Sequence, residues 1–164
     1  MRILGIDPGT ARIGYGIIDL KDDDYTIVDC GCITTKAGKA LEIRLMEIAD
    51  DIEQLIETHQ PDVAAVEELF FSKNTTTALA VAHARGVIIE KIKRHDIPLH
   101  SYNPMRIKQA LCSSGKADKH QMQKMTQLLL ELSSVPTPDD TADALAIALC
   151  HGNTHRNKSL YMNV

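Results

Sequence analysis

The sequence of 164 residues contains no tryptophan, only two phenylalanines and only four cysteines. No apolar stretch reaches the roughly 18 residues that a membrane-spanning helix needs. The start of the chain has a short apolar run without a longer hydrophobic region or a small-residue cleavage site, so we expect a first strand rather than a signal peptide, and a cytoplasmic protein. Repeats, low-complexity tracts and linker-like boundaries are also missing, which favours a single domain with a substantial core.

The four cysteines do not have the spacing of a disulfide framework. Cys30 and Cys32 are two residues apart, whereas Cys112 and Cys150 are remote in sequence. No pair has the two-residue spacing of a zinc knuckle. We therefore expect free, buried and chemically inert thiols, as is usual in the cytoplasm.

The net charge of −4 at pH 7 does not suggest a nucleic-acid-binding protein, but the charges are unevenly distributed. The stretch from Pro104 to Lys124 carries five basic residues against Asp118 alone, a local charge of about +4. Its basic residues are Arg106, Lys108, Lys116, Lys119 and Lys124. This distribution is compatible with DNA binding, and a solvated basic face is the alternative.

The order of the predicted elements indicates an α/β fold. Short turns connect three predicted strands over residues 2–7, 13–20 and 25–34, which favours an antiparallel meander. Apolar residues then recur at three- and four-residue steps from Leu41 to Ile56, as in an amphipathic helix. The remaining predicted elements are strands over 63–67 and 97–102 and helices over 74–95, 104–111, 118–132 and 139–151. We expect a five-stranded mixed sheet of three antiparallel and two parallel strands, flanked by helices.

The helix predicted over residues 74–95 has an unusual middle part. From Ala78 to Ile89 it is apolar nearly all round, apart from His83 and Arg85. A helix without a polar face is buried on several sides. Burial in the core and burial against a partner subunit both stay open at this point.

Four acidic residues stand at predicted strand ends or at the start of the last predicted helix. Asp7 closes the first strand, Glu67 closes the fourth, and Asp140 and Asp143 are three residues apart on one helix face. In open sheets, ligands bind beyond the carboxyl ends of adjacent strands. Converging carboxylates repel each other and need a cation, and hard oxygen ligands suit Mg²⁺ or Mn²⁺. The pattern predicts a metal-dependent nuclease with two ions.

Each of these acids also has a purely structural interpretation. Asp7 precedes a Pro-Gly pair and is suited to start a turn. Glu67 is followed by Glu68 and is compatible with a solvated strand end, and Asp140 is spaced as the capping-box acid of a helix capped by Thr137. The joint occurrence of the four acids favours the functional interpretation.

Both phenylalanines of the chain, Phe70 and Phe71, closely follow Glu67. An exposed ring at this place is suited to stack on bases, or to wedge between them, near the scissile phosphate. The alternative is that one or both rings fill the core. We predict that Phe70 contacts DNA and that Phe71 is the more buried ring.

Two further patterns carry less weight. His151 and His155 are four residues apart, and we expect solvated side chains at a helix end rather than metal ligands. The stretch from Asp7 to Thr10 also occurs in actin-like ATP-dependent phosphotransferases. Such enzymes usually need two related lobes, and this chain has the length of one.

Several motifs follow one another in a specific order. They are Gly5-Ile6-Asp7-Pro8-Gly9-Thr10, Gly14-Tyr15-Gly16, Val66-Glu67, Lys73-Asn74, Ala84-Arg85-Gly86 and Asp140-Thr141-Ala142-Asp143-Ala144-Leu145-Ala146-Ile147-Ala148. Together they resemble the RuvC family of bacterial Holliday junction resolvases, also called crossover junction endodeoxyribonucleases. The resemblance implies a ribonuclease H-like fold, and a homodimer that resolves four-way DNA junctions by paired symmetric nicks in recombination and repair. It also implies a branch-migration complex as partner.

The resemblance assigns roles residue by residue. The catalytic and metal-binding carboxylates are Asp7, Glu67, Asp140 and Asp143, with two Mg²⁺ ions per subunit that Mn²⁺ is expected to replace. Glu68 and Asp139 are left outside this set. The DNA-binding residues are the aromatic Phe70 with Lys108 and Lys119, and Lys116 adds a positive charge nearby. The helix from Ala78 to Ile89 corresponds to the dimer-forming helix of the family.

One segment departs from the family pattern. Relatives commonly carry Gly-x-Gly-x-Ala-x-Lys where this chain has Ser113-Ser114-Gly115-Lys116-Ala117-Asp118-Lys119, so a serine replaces the first glycine. The resemblance extends over about residues 1–152. We therefore predict one nuclease domain over 1–152 and a flexible polar tail over 153–164.

The predicted reaction is phosphodiester hydrolysis by two metal ions, with Asp7 bridging both, which leaves 5′-phosphate and 3′-hydroxyl ends. A junction-binding module without activity and a related nuclease that acts on RNA are the alternatives. The presence of all four acids argues against a loss of activity. The preferred cleavage sequence is not evident from the sequence.

Overall fold

The computed structural model describes residues 1–69 and 75–162, and for residues 75–77 and 157–162 it describes the backbone alone. A five-stranded sheet carries helices on both faces. The strands are β1 (Arg2–Asp7), β2 (Arg12–Lys21), β3 (Asp24–Thr34), β4 (Val63–Glu67) and β5 (Leu99–Tyr102). The helices are α1 (Leu41–His59), α2 (Thr75–Arg94), α3 (Pro104–Cys112), α4 (Lys119–Leu129) and α5 (Asp139–Met162).

The strand order β3-β2-β1-β4-β5 confirms the predicted fold class. β1, β2 and β3 form an antiparallel meander, and β4 and β5 are added in parallel to β1 through the crossover helices α1 and α2. Residues 63–66 of β4 are completely buried, as expected for a parallel strand covered on both faces. β5 begins at Leu99, two residues later than predicted. The carboxyl ends of β1, β4 and β5 share one edge of the sheet.

Each face of the sheet has its own apolar core. On one face, Ile48, Ile52 and Ile56 of α1 pack with Ile88 of α2 against the strands. These residues recur at the helical spacing noted in the sequence, and α1 ends where Gln60 takes a left-handed conformation. On the other face, α3, α4 and α5 pack on the same strands. Among the described helices, none is both long and apolar enough to cross a membrane.

Glycines on β1 and β2 allow α5 to lie unusually close to the sheet. A Cβ atom on Gly14 would be 1.9 Å from the carbonyl oxygen of Asp140, and one on Gly5 would be 2.3 Å from the carbonyl oxygen of Ala144. No side chain larger than hydrogen fits at these two positions without moving the helix. The close approach brings the start of α5 beside the end of β1.

The C-terminal end of the chain differs from the sequence-based prediction. α5 does not end at residue 151 but continues to Met162. The side chain of Asn153 accepts a hydrogen bond from Tyr25 Oη (2.9 Å), and Arg156 forms an ion pair with Asp23 (2.9 Å). The flexibility predicted for residues 153–164 as a whole stays a prediction, as does the domain boundary at 152.

Two other predictions need correction. His151 is not solvated, because it is buried and its Nδ1 lies 2.8 Å from Tyr102 Oη in a hydrogen bond. The four cysteines are free, as predicted, but only Cys150 is buried. The other three lie on strand and helix faces that other elements cover only partly.

Candidate active site

Three of the four predicted acids line one cavity at the carboxyl edge of the sheet. Asp7 from β1, Glu67 from β4 and Asp143 from α5 border a space of about 250 Å³. The rest of the lining comes from Lys108 and Lys119 and from Pro104, Ile107, Met122, Ala146 and Ile147. An anionic floor with a cationic rim and apolar walls therefore lies where the parallel strands end.

The carboxyl group of Asp7 is the most perturbed acid of this cavity. Its pKa is raised to about 7, first because burial disfavours the charged form. The negative charges of Glu67, Asp143 and Asp140 raise the pKa as well, and the ammonium group of Lys119 opposes them. The carboxyl group is therefore partly protonated near neutral pH.

Glu67 is perturbed to a similar extent. Burial, and to a lesser degree the charge of Asp143, raise its pKa to about 7, while Lys108 acts in the opposite direction. Glu67 closes β4 one residue after four buried positions, so its side chain starts from a rigid strand end. Two acids with such raised pKa values in one cavity are typical of a functional site.

Asp143 is the cavity-lining acid that forms an ion pair with Lys119. Burial raises its pKa, and Lys119 opposes this because its Nζ lies 3.6 Å from Asp143 Oδ2. The same Nζ lies 3.0 Å from Oδ2 of Asp139, which in turn accepts a hydrogen bond from Gln123 Nε2 (3.0 Å). Asp139 therefore holds Lys119 over the cavity, a contact that the sequence did not suggest.

Asp140 lies beside the cavity rather than in its lining. Its side chain is 21% exposed, and its Oδ2 lies 3.1 Å from Nε of Arg12, whose own side chain is 60% exposed. This oxygen is buried but accepts no hydrogen bond from the described residues, so the contact with Arg12 is ionic only. A buried carboxylate oxygen without a hydrogen bond is able to accept a further cation.

The types of donor atom at this site suit a divalent metal ion, but their side chains are not arranged as a preformed metal site. Within residues 1–69 and 75–162, no three His, Cys, Asp or Glu side chains are arranged as a ready metal site. However, three carboxylates line one cavity, two of them have pKa values raised to about 7, and Oδ2 of Asp140 lacks a hydrogen bond. Oxygen donors of this kind suit Mg²⁺ or Mn²⁺.

The predicted DNA-contacting residues divide into three groups. Lys108 and Lys119 line the cavity. Lys116 is exposed between α3 and α4, outside the cavity lining. Phe70 lies outside the described residues, as do Phe71 and the Lys73-Asn74 motif.

The serine that replaces the family glycine takes a glycine-like conformation. Ser113 ends α3 with φ of 55°, in the left-handed region, and its backbone N–H donates to the carbonyl oxygen of Gln109 (3.0 Å). The helix end is therefore of the kind that glycine usually forms. Ser113 thus adopts, in this chain, the conformation for which glycine is the preferred residue.

Two arginines near the acids received no role from the sequence, although Arg85 stands in the Ala84-Arg85-Gly86 motif. Arg12 contacts Asp140, and Arg85 donates a hydrogen bond from Nε to the carbonyl oxygen of Glu67 (2.9 Å). The contact of Arg12 with Asp140 could have been suspected from the sequence, because Arg12 closely follows the Asp7-Pro8-Gly9 turn. The contact of Arg85 with Glu67 depends on how α2 packs on the sheet, which the sequence does not show.

Comparison with known proteins places these features in context. A family model described as crossover junction endodeoxyribonuclease RuvC matches residues 3–151. The crossover junction endodeoxyribonuclease RuvC of Chloroflexus aurantiacus is 49% identical over 154 residues, which is 94% of this chain and 94% of that protein.

Solved structures are similar over nearly the whole chain. The Thermus thermophilus RuvC structure has a TM-score of 0.90 at 30% identity and covers 96% of this chain and 97% of its own. T. thermophilus RuvC in complex with a Holliday junction substrate has a TM-score of 0.87 at 29% identity, covering 95% and 96%. The fold and the sequence thus lead to the same group of proteins.

Proposed function

The chain belongs to the RuvC family of crossover junction endodeoxyribonucleases, and we propose that it resolves four-way DNA junctions by cutting two opposed strands. One observation carries this proposal: Asp7, Glu67 and Asp143 line one cavity at the sheet edge, beside Lys108 and Lys119. Carboxylates that hold a divalent cation, next to lysines that bind phosphate, suit phosphodiester hydrolysis. The similarity to T. thermophilus RuvC in complex with a Holliday junction substrate supports this choice of DNA.

The proposed metal ligands are the carboxylates of Asp7, Glu67, Asp140 and Asp143. Two Mg²⁺ ions bound there would supply an activated water and stabilise the leaving 3′ oxygen, giving 5′-phosphate and 3′-hydroxyl ends. The raised pKa values of Asp7 and Glu67 mean that both groups release protons as they become ligands. Metal binding at this site is therefore expected to tighten as the pH rises through about 7, because Asp7 and Glu67 lose their protons.

The lysines have a separate task in this proposal. Lys108 and Lys119 line the cavity and are within reach of a phosphate in it. Lys119 is held by Asp139 and Asp143, so its ammonium group is oriented before DNA arrives. Together with Lys116, and with the ring of Phe70 at the junction, these residues provide salt-dependent affinity for DNA.

The outward face of α2 supports the proposed homodimer. Leu79 is 61% exposed, and His83, Gly86 and Glu90 follow it on the same exposed stripe. The spacing of these residues marks one helix face, and the half-buried residues beside it are mostly alanine and valine. A second copy packed here would place two sites in twofold symmetry, as the two opposed strands of a junction require.

The first experiment compares an immobile synthetic four-way junction with a linear duplex of the same sequence, in Mg²⁺ and in EDTA. Paired symmetric nicks that require both the junction and the metal support the proposal. An RNA–DNA hybrid serves as the third substrate, because preferential cutting of the hybrid would replace the proposal with an RNA-directed nuclease.

A protein that binds the junction without cutting it requires a second substrate. A junction whose branch point migrates through many sequences removes the dependence on a preferred site. Cleavage of that junction supports the resolvase assignment. Binding alone on both substrates would instead assign a junction-binding module, which is a different function of the same fold.

A further inference from the structure

Arg85 joins α2 to the ends of two neighbouring strands. Its Nε donates a hydrogen bond to the carbonyl oxygen of Glu67 at the end of β4 (2.9 Å), and its Nη2 donates to Oγ of Ser101 on β5 (2.9 Å). Glu67 and Ser101 belong to strands that are paired in parallel. One planar guanidinium group therefore spans both strands at the edge that borders the cavity.

The backbone around Glu67 shows why this contact matters. Glu67 is the last residue of β4, and the next backbone N–H, that of Glu68, donates to the carbonyl oxygen of Tyr102 (2.9 Å). The peptide group between residues 67 and 68 is thus held by Arg85 on its carbonyl side and by Tyr102 on its amide side. Fixing this peptide plane fixes the backbone from which the Glu67 carboxylate projects.

The partners of Arg85 indicate a role in orientation rather than in charge balance. Both hydrogen bonds end on neutral oxygens, a backbone carbonyl and a hydroxyl, and neither ends on a carboxylate. A guanidinium group presents its donors in a rigid plane, which suits two acceptors on two strands. A lysine at this position has a single side-chain nitrogen, so it would not hold both acceptors in the rigid geometry of the guanidinium group.

We propose that Arg85 is a positioning residue that holds the Glu67 carboxylate in the orientation needed to bind metal. This inference rests on the proposed function of Glu67 as a metal ligand. Arg85 is adjacent in sequence to Gly86 on the outward face of α2. A movement of α2 would therefore also move Glu67, through the hydrogen bond from Arg85 to its carbonyl oxygen. Residues that orient metal ligands typically change metal affinity or activity 10- to 100-fold when they are removed.

The test compares Arg85→Met with the wild type and with Arg94→Met. Methionine keeps the aliphatic volume and removes the donors, and Arg94 is an exposed arginine of the same helix whose ion pair with Glu90 lies far along the helix from the site. We measure Mn²⁺ affinity of the DNA-free protein by electron paramagnetic resonance, junction affinity in Ca²⁺, and the single-turnover cleavage rate in Mg²⁺.

We expect Arg85→Met to weaken Mn²⁺ binding and to slow cleavage about 10- to 100-fold, with junction affinity within about twofold of the wild type. Arg94→Met is expected to match the wild type in all three. Arg85→Lys should recover part of the metal affinity, and Ser101→Ala should change it less than Arg85→Met, because the hydrogen bond to Glu67 remains.

Several results would overturn the inference. Unchanged Mn²⁺ affinity in Arg85→Met would exclude a positioning role, whatever happens to the rate. Equal losses of metal affinity, junction affinity and melting temperature in both Arg85→Met and Arg85→Lys would assign Arg85 to general stability instead. If the wild type cuts no junction, the proposed function fails by itself, and the Mn²⁺ measurements still decide the role of Arg85.

Discussion

The Nζ of Lys119 lies 3.6 Å from Oδ2 of Asp143, so a cation of α4 lies directly against a carboxylate of α5 in the candidate site. Burial raises the pKa of Asp143, and the contact with Lys119 offsets part of that rise. The contact also leaves the ammonium group at the border of the cavity, where a phosphate would enter. Lys119 therefore both neutralises part of the negative charge of the site and is placed to bind a phosphate of the proposed substrate.

Replacing Lys119 with methionine is expected to lower the single-turnover cleavage rate at saturating protein about tenfold or more, because a preoriented cation near the scissile phosphate is lost. Lys116→Met is the matched control, since Lys116 is exposed outside the cavity lining. Lys116→Met should weaken junction binding and reduce the slope of log affinity against log salt concentration by about 1. It should have little effect on the cleavage rate at saturating protein. Equal rates for the two variants would contradict this division of roles.

Asp7→Asn is expected to abolish cleavage and yet to stabilise the metal-free protein at high pH. The folded pKa of Asp7 is raised from 3.8 to about 7, so its contribution favours the folded state below pH 4 and is lost as the pH rises to about 7. At pH 8 in EDTA, the variant should exceed the wild type by roughly 1–2 kcal/mol in free energy of unfolding.

Urea denaturation at several pH values measures this difference, which should shrink toward zero as the pH falls toward 4. Glu57→Gln, an exposed acid of α1, is the control and should show no comparable pH-dependent gain. A gain for Asp7→Asn that is the same at pH 5 and pH 8 would contradict the assigned cause, since only the charged form of Asp7 is destabilising.

Gly14→Ala is expected to separate α5 from the sheet. The added Cβ would lie 1.9 Å from the carbonyl oxygen of Asp140, which is backbone and not a movable side chain. We expect a loss of about 2–3 kcal/mol in free energy of unfolding and a loss of metal binding, because Asp140 and Asp143 move with the helix. Wild-type Mn²⁺ affinity in this variant would show that the close packing is not required.

Ser113→Gly is expected to stabilise the protein by about 0.5–1 kcal/mol, because Ser113 has φ of 55° and glycine has no Cβ to strain there. Ser114→Gly is the matched control. Ser114 Oγ accepts a hydrogen bond from the backbone N–H of Lys116 (3.3 Å), so that variant should be no more stable than the wild type. Urea denaturation of both variants tests the prediction, and a gain for Ser114→Gly alone would contradict it.

Leu79→Glu is expected to convert the proposed dimer into a monomer, because Leu79 is 61% exposed on the outward face of α2. Leu128→Glu is the matched control, since Leu128 is 68% exposed on α4, on the other side of the sheet. Analytical ultracentrifugation measures both. A dimer that survives Leu79→Glu but dissociates with Leu128→Glu would move the interface from α2 to α4.

Much of the fold could be predicted because it depends on local patterns. The short turns between the strand segments of residues 2–34 and the helical recurrence of apolar residues from Leu41 to Ile56 are such patterns, so strands and helices follow from them. The end of α5 was predicted wrongly because polar residues after Gly152 do not end a helix when other elements contact it. Asn153 and Arg156 make such contacts with Tyr25 and Asp23.

The candidate site was predictable in its residues but not in its electrostatics. Asp7 and Glu67 were recognisable as acids that close apolar strands, and a spacing of three placed Asp140 and Asp143 on one helix face. His151 was judged solvated because its burial depends on Tyr102, 49 positions earlier in the chain. The contact of Arg85 with Glu67 likewise joins residues that sequence spacing does not relate.

By itself, the sequence determined the secondary structure, the family and the identity of the acids, since these depend on periodicity and on residue types along the chain. Only the tertiary structure decided that α5 lies against Gly5 and Gly14, and that burial and mutual repulsion raise the pKa values of Asp7 and Glu67 to about 7. Desolvation and charge interactions depend on distances in space, and these distances exist only once the helices have packed on the sheet.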